Sequence, residues 1–230
     1  MAGRYAVYYG PHFQSRLYRL GSTLLGRGVD TGKPLPRPDL KSVSAEELAL
    51  RTRRAWLYGF HGTIVAPFET DFDEADLSSA LNLIVRDFAP FALSGLRLTI
   101  MDGSFMAIEP VFMPEELQAL ERQCVMSFNR FRRPLGESDL VRREPLPPKL
   151  RNNLIRWGYH LVFDEFKFHL TLTDSLPERP EFFLAEVRSY LGPILDQPLI
   201  FDRLALFHQP SRTEPFICRP VFLKLSPIPI

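Results

Sequence analysis

Apolar and polar positions along the chain alternate between two periods, and the alternation predicts where strands and helices fall. Tyr5-Ala-Val-Tyr-Tyr9 is a β-prone run cut off by Gly10-Pro11 and reads as a strand. Residues 26–38, with three Gly and three Pro, read as a loop. Ser44-Ala-Glu-Glu supplies an N-cap and an acidic first turn to a helix carrying Leu48 and Leu50. A helical face of Leu77, Leu81, Ile84 and Phe88 precedes two β-prone runs, Phe91 to Met101 and Phe105 to Glu109. A second face of Phe183, Val187 and Tyr190 precedes two more, Leu199 to Phe207 and Pro215 to Leu225. Between these sets, Leu117, Leu120, Cys124 and Phe128 mark a helix from about Pro114 to Phe131. Leu150, Leu154 and Trp157 mark another, with Gly158 as its stop.

The two sets are copies. Phe60-His61-Gly-Thr63 and Phe168-His169-Leu-Thr171 are one F-H-x-T phrase repeated 108 residues apart. Phe91 follows His61 by 30 residues, and Leu199 follows His169 by 30. The expected fold is therefore α+β: two pseudo-twofold strand, helix, strand, strand units about a central groove, with antiparallel sheets and helices on the outer faces. The chain reads as a single bilobal domain, its first repeat at about 55–110, a helical and Arg-rich connector at about 111–160, a second repeat at about 161–227, and the N-terminal strand added to the sheets.

Residues two apart in a strand share a face, so each His projects beside its Thr. Lys167, His169, Thr171 and Thr173 share one parity, whereas Phe166, Phe168, Leu170 and Leu172 share the other. His61 and Thr63 form the corresponding polar face in the first copy. Two imidazoles and two hydroxyls across one groove suit cleavage of a phosphodiester. One neutral His takes a proton, the other, protonated, gives one to the leaving oxygen, and the Thr hydroxyls donate to phosphate oxygens. A lone His in a strand is ordinarily structural; the repeat is what singles out these two. His12, His160 and His208 have no matching partner and read as structural, although His208 is placed to reach the groove rim.

Composition narrows the classes. Apolar residues at 45% and charged residues at 24% describe an ordinary folded protein. A net charge of +1 gives no broad basic surface for extended nucleic acid, which is disfavoured as a partner, and the expected ligand is a small phosphorylated metabolite or nucleotide. No apolar run reaches membrane-span length and the N-terminal residues lack a leader pattern, so a cytoplasmic protein without membrane contact is expected. Cys124 and Cys218 are too few and too distant for a zinc knuckle, and with no HExxH no metal or other cofactor is expected. Oligomeric state is open.

The charge is local. Residues 130–156 hold eight Lys or Arg against three Asp or Glu. Arg130, Arg132, Arg133, Arg142 and Arg143 read first as a solvated face, with an anion-binding cap as the alternative. Arg151 and Arg156, near the helix before the second His strand, are candidates for substrate binding, as are Lys167 and Tyr159. Trp157 completes a helical face, and Tyr58, opposite in parity to His61, reads as core.

The paired H-x-T phrases resemble the 2H phosphoesterase superfamily of 2′,5′-RNA ligase-like proteins and cyclic phosphodiesterases. Within it, Leu24-Leu-Gly-Arg27, Tyr58-Gly-Phe-His61, Ala66-Pro-Phe68, Asn153-Leu-Ile-Arg-Trp-Gly-Tyr159 and the run Phe163 to Thr173 are similar to the DUF1045 family, which is associated with phosphonate metabolism. In that family Ala commonly stands at the place of Gly62 and Lys at that of Val65. The resemblance implies a metal-independent phosphoesterase with His61, Thr63, His169 and Thr171 as catalytic residues, acting on a small cyclic phosphodiester such as a ribose cyclic phosphate. RNA-end processing or ligation and a non-catalytic nucleotide-binding module are the alternatives.

Overall fold

The computed structural model describes residues 3–224; the end of the second repeat, 225–227, lies outside the described residues. The first half runs β1 (Arg4–Tyr9), α1 (Arg16–Leu25), α2 (Ala45–Arg51), α3 (Arg53–Tyr58), β2 (Gly62–Glu69), α4 (Glu74–Val85), β3 (Phe91–Leu93), β4 (Leu96–Met101) and β5 (Phe105–Pro110). The connector forms α5 (Glu115–Phe128), α6 (Glu137–Val141) and α7 (Pro148–Trp157). The second half runs β6 (Leu170–Thr171), α8 (Pro180–Leu191), β7 (Leu199–Phe201), β8 (Arg203–Gln209) and β9 (Ile217–Lys224).

Local chemistry sets most of these boundaries. Ser44 Oγ accepts from the Glu47 N–H at 3.1 Å and starts α2, and Asp73 caps α4 the same way through Asp76. Gly158, at φ 78, ends α7. The run Phe91 to Met101 is broken into β3 and β4 just before Leu96, where Gly95 takes φ 78. Its counterpart from Leu199 divides at Asp202 into β7 and β8.

The strands expected to flank a groove join into one seven-stranded antiparallel sheet, ordered β4-β5-β6-β2-β1-β8-β9, with β3 and β7 forming a separate two-stranded ribbon. Gly62 pairs with Leu170, and Ala92 pairs with Ile200. Each pair is separated by 108 residues, the repeat offset, so equivalent positions face each other as a local twofold requires. The symmetry stops at the outer strands. β5 joins beside β6, whereas β1 takes the place beside β2 and carries β8 and β9 outside it. One continuous apolar cluster underlies the whole, drawing Leu77 and Leu81 from α4, Leu117 and Phe128 from α5, and Phe183 and Val187 from α8. Among the described residues no helix is long and apolar enough to cross a membrane.

Arg27 fixes the approach to β2. It is fully buried, and its guanidinium donates to the carbonyls of Trp56 at 2.9 Å, Leu57 at 3.2 Å and Phe216 at 2.9 Å. The first two belong to the last turn of α3, where carbonyls lack helical partners. Burial lowers the Arg27 pKa to about 10, which leaves it charged at neutral pH. Arg27→Met is expected to strand these carbonyls and destabilise the protein by about 3 kcal/mol. Arg27→Lys should not rescue it, since an ammonium lacks the planar fork. Urea unfolding measures both, and a wild-type midpoint in Arg27→Met would refute the assignment.

Candidate active site

α3 ends at Gly59, whose φ of 74 is open to glycine and turns the chain so that His61 enters β2. The Gly59 carbonyl then accepts from His61 Nδ1 at 2.8 Å. In the second copy the Lys167 carbonyl accepts from His169 Nδ1, also at 2.8 Å. A carbonyl only accepts, so Nδ1 carries the hydrogen in both rings and Nε2 is left for chemistry. His61 Nε2 lies 3.3 Å from Thr63 Oγ1.

The Gly62–Leu170 pairing brings the motifs together. Continued one residue each way, antiparallel register sets His61 beside Thr171 and Thr63 beside His169, with side chains about 5 Å apart across such a pair. Leu170 is fully buried, and a Cβ on Gly62 would meet the Phe168 ring at 2.4 Å, so the residues between belong to the core and the four polar side chains to the other face. The phenylalanine of the second phrase thus fills the space left by the glycine of the first.

That face opens into a cleft of about 1210 Å³ lined by His61, Thr63 and Thr171. His169 is not among the lining residues although Thr63 and Thr171 on either side of it are; its ring packs 5.8 Å from that of Phe105. His61 is buried and stacks on Tyr8, ring centres 3.8 Å apart. Burial pushes its pKa down to about 4, against the pull of the Gly59 carbonyl, and nearby His169 and Arg27 push it further. Burial also lowers the His169 pKa, but the Lys167 carbonyl, Glu109 and Asp102 all oppose that shift. Among the described residues no three His, Cys, Asp or Glu side chains gather as a metal site.

The other sequence candidates divide. Tyr159 lines the cleft. Arg151 and Arg156 do not, which corrects their assignment to substrate binding: α7 turns both to solvent, where Arg151 pairs with Glu144 at 2.8 Å and Arg156 lies over Trp157. Lys167 is likewise exposed and outside the cleft wall, and what it supplies to the site is its carbonyl. Tyr58 is not core. It ends a helix, so strand parity does not apply, and it lines the cleft with its ring 6.3 Å from that of His61. Val65 packs against the apolar cluster and is absent from the cleft lining. His208 packs against Tyr5, its ring tilted to the phenol at 4.7 Å, and is also absent from it.

Arg132, Arg133, Arg142 and Arg143 of the connector do line the cleft, joined by Arg4, Arg54 and Arg212, which sequence reasoning missed. Arg4 had a signal: it shares parity with Tyr8 on the strand beside the first motif. Arg54 and Arg212 had none, since tertiary packing alone brings them there.

Over residues 63–217 the chain matches the family model described as protein of unknown function, DUF1045. It is 31% identical over 228 residues to ribose 1,5-bisphosphate phosphokinase PhnN of Laribacter hongkongensis (strain HLHK9), covering 97% of this chain and 52% of that protein. It is 28% identical over 224 residues to the protein of the same name from Janthinobacterium sp. (strain Marseille), covering 93% and 49%. The chain thus spans about half the length of the curated relatives it matches. Among solved structures it is similar to one described as a phosphoesterase, with a TM-score of 0.42, 10% identity, and 98% of this chain and 99% of that one covered. It is also similar to E. coli LigT complexed with NADP+, with a TM-score of 0.43, 11% identity and 98% of each chain covered. The match over most of its length shows that the chain belongs to the DUF1045 family.

Proposed function

We propose that this protein is a metal-independent phosphoesterase of the 2H type that hydrolyses a small cyclic phosphodiester. The observation that carries the reading is the Gly62–Leu170 pairing, which supports placing two imidazoles with the same Nδ1 anchoring and two threonine hydroxyls on one face of the sheet, with His61, Thr63 and Thr171 lining an arginine-rich cleft and His169 between the two threonines at its edge. The curated relatives are named for a kinase of ribose 1,5-bisphosphate, which supports a phosphorylated ribose as substrate and a place in phosphonate metabolism.

The depressed pKa of His61 leaves its Nε2 lone pair free at neutral pH, which suits a general base. His169 has carboxylates at Glu109 and Asp102 that favour its protonated form, and a bound phosphate anion adds to them, which suits a general acid. His61 takes a proton from water as the water oxygen bonds to phosphorus. The ring P–O bond breaks, and its oxygen leaves with the proton from His169 Nε2. The product is a phosphate monoester, and solvent restores both protonation states. Thr63 and Thr171 donate to the non-bridging oxygens as negative charge grows.

The direction of these shifts sets a pH dependence. His61 must be neutral, which holds above about 4, and His169 must be protonated, which fails as pH rises through a value lowered from 6.5. For the free enzyme kcat/KM should therefore be highest on the acid side of neutrality and fall from pH 6 to pH 8. His169→Ala should abolish the falling limb along with most of the rate. A falling limb that survives in His169→Ala and disappears in His61→Ala would reverse the assignment of base and acid.

Either His61→Ala or His169→Ala should remove about 10²–10⁴-fold of turnover while the protein stays folded. The double variant should lose far less than the product of the two, since both act in one transition state. Thr63→Ala or Thr171→Ala should cost about 1.5–3 kcal/mol of transition-state binding. Steady-state kinetics on a panel of cyclic phosphodiesters, with EDTA present and thermal melts as control, tests all five. Wild-type turnover in a folded His61→Ala protein would reject the two-histidine mechanism, whereas binding without turnover by the wild type would leave a binding module in place of an enzyme.

A further inference from the structure

The cleft is larger than a cyclic phosphate needs, since about 1210 Å³ exceeds the ~300–1,000 Å³ that houses whole drug-sized ligands. Its wall carries seven arginines against Glu69, Asp139 and Asp174, an excess of four positive charges. Most of those arginines are occupied. Arg212 bonds Glu69 and Asp139, Arg142 bonds Asp139, and Arg133 bonds Asp71. Arg132 donates to the carbonyls of Arg133, Ile155 and Arg156, while Arg54, whose main-chain N–H the Asp174 carboxylate accepts, also lies within electrostatic range of that carboxylate.

Arg4 and Arg143 differ. Arg4 donates to the neutral Gln209 Oε1 at 2.8 Å; across the strand pair stands Glu69, which Arg212 already holds. Arg143 donates to His160 Nδ1 at 3.3 Å and lies over the Tyr159 ring at 5.1 Å. Among the described residues neither has a carboxylate at salt-bridge distance. Arg143 is half-buried, Arg142 opposes its charge, and the Asp139 that favours it is already held by Arg142 and Arg212, so an anionic ligand offsets a cost of burial that the protein leaves open. Burial lowers the Arg143 pKa, in keeping with that.

Three phenols share this wall. Tyr8 stacks on His61, Tyr58 stacks on Phe216 at 5.3 Å, and Tyr159 supports Arg143. All five side chains line the one cleft, where Tyr8 lies in electrostatic range of Arg4, Tyr58 and Tyr159, and Arg143 in range of Tyr58 and Tyr159. Each phenol can donate to a phosphate oxygen.

We infer that Arg4, Arg143, Tyr8, Tyr58 and Tyr159 form a second anion subsite, which takes a phosphate monoester carried by the substrate at the end away from the reacting ester. The inference rests on the phosphodiesterase reading of the same cleft and adds a substrate class: a phospho-sugar with two separate phosphoryl groups. Arg143 is fitted to the recognition because its fork offers paired donors to a phosphate while its other face rests on Tyr159.

The test is calorimetric titration of the full chain with ribose 5-phosphate and with ribose, neither of which can be hydrolysed at a phosphodiester. Ribose 5-phosphate should bind the wild type at least about tenfold tighter than ribose, and Arg143→Gln should lose that advantage. Arg143→Lys should keep part of it. If thermal melts show that Arg143→Gln does not fold, Arg4→Gln carries the same readout. Equal affinity for the two sugars, or an advantage that survives Arg143→Gln and Arg4→Gln but disappears in His169→Ala, overturns the subsite. Kinetics separate this inference from its parent. Binding through Arg143 without turnover of any ribose cyclic phosphate keeps the subsite and removes the hydrolase. Turnover of a ribose 2,3-cyclic phosphate with the same kcat/KM whether or not it bears a 5-phosphate does the reverse.

Discussion

The contact on which the cleft depends is a backbone pairing at Gly62 and Leu170. Among the described residues it is where the strands of the two motifs meet, and it pairs equivalent positions of the repeat. Side chains alternate across a sheet, so one core pair at the axis forces its neighbours, His61, Thr63, His169 and Thr171, onto the opposite face. A slip of either strand by one residue would send its histidine into the apolar cluster. Packing guards against that slip, because Phe168 occupies the space a Gly62 side chain would take and Leu170 has no exposed surface. The smallest residue at the axis is matched by a large one next to it.

Symmetry supplies two similar histidines, and the flanks make them different. Each ring donates its Nδ1 hydrogen to the carbonyl two residues earlier, at the same length. His61, however, has Tyr8 against its face and Arg27 near it, whereas His169 has Glu109 and Asp102. These differences come from β1, which joins only one side of the motif pair, and from the β4–β5 hairpin on the other. The strand that breaks the twofold also supplies Arg4 and Tyr8 to the cleft. A strict twofold would leave the two imidazoles equivalent, and the added strand removes the equivalence.

Much of this was legible in the chain. The matched 30-residue spacings mark the repeat, because segments that fold alike keep their lengths. Ser44 and Gly158 mark helix ends, because caps are local chemistry. What failed were inferences from nearness in sequence. Arg151 and Arg156 precede the second motif closely, yet helical periodicity turns them to solvent, whereas Arg143, further back and beyond α7, reaches the cleft. Tyr58 was assigned by strand parity to a segment that is helical up to Gly59. Arg54 and Arg212 arrive from α3 and from beyond β8, a convergence no local pattern encodes. The helix α1 went unread although Ser15 caps it, Leu17, Tyr18, Leu24 and Leu25 form its buried face and Gly26 stops it, and it leads into the buried Arg27.

Arg27 and Arg143 show how one residue type serves opposite ends. Arg27 is fully buried and Arg143 half-buried, and burial lowers the pKa of each. Arg27 has three carbonyl partners inside the protein, so its donors are satisfied in the folded state and its charge stabilises the turn that presents His61. Arg143 has an imidazole nitrogen and a ring face, which leaves donors of its fork open toward the cleft. A buried cation whose hydrogen bonds close within the protein adds to stability; one whose bonds remain open on a cavity wall adds to recognition. The net charge of +1 conceals this division, because the carboxylates that balance the cleft in the overall count lie mostly outside it.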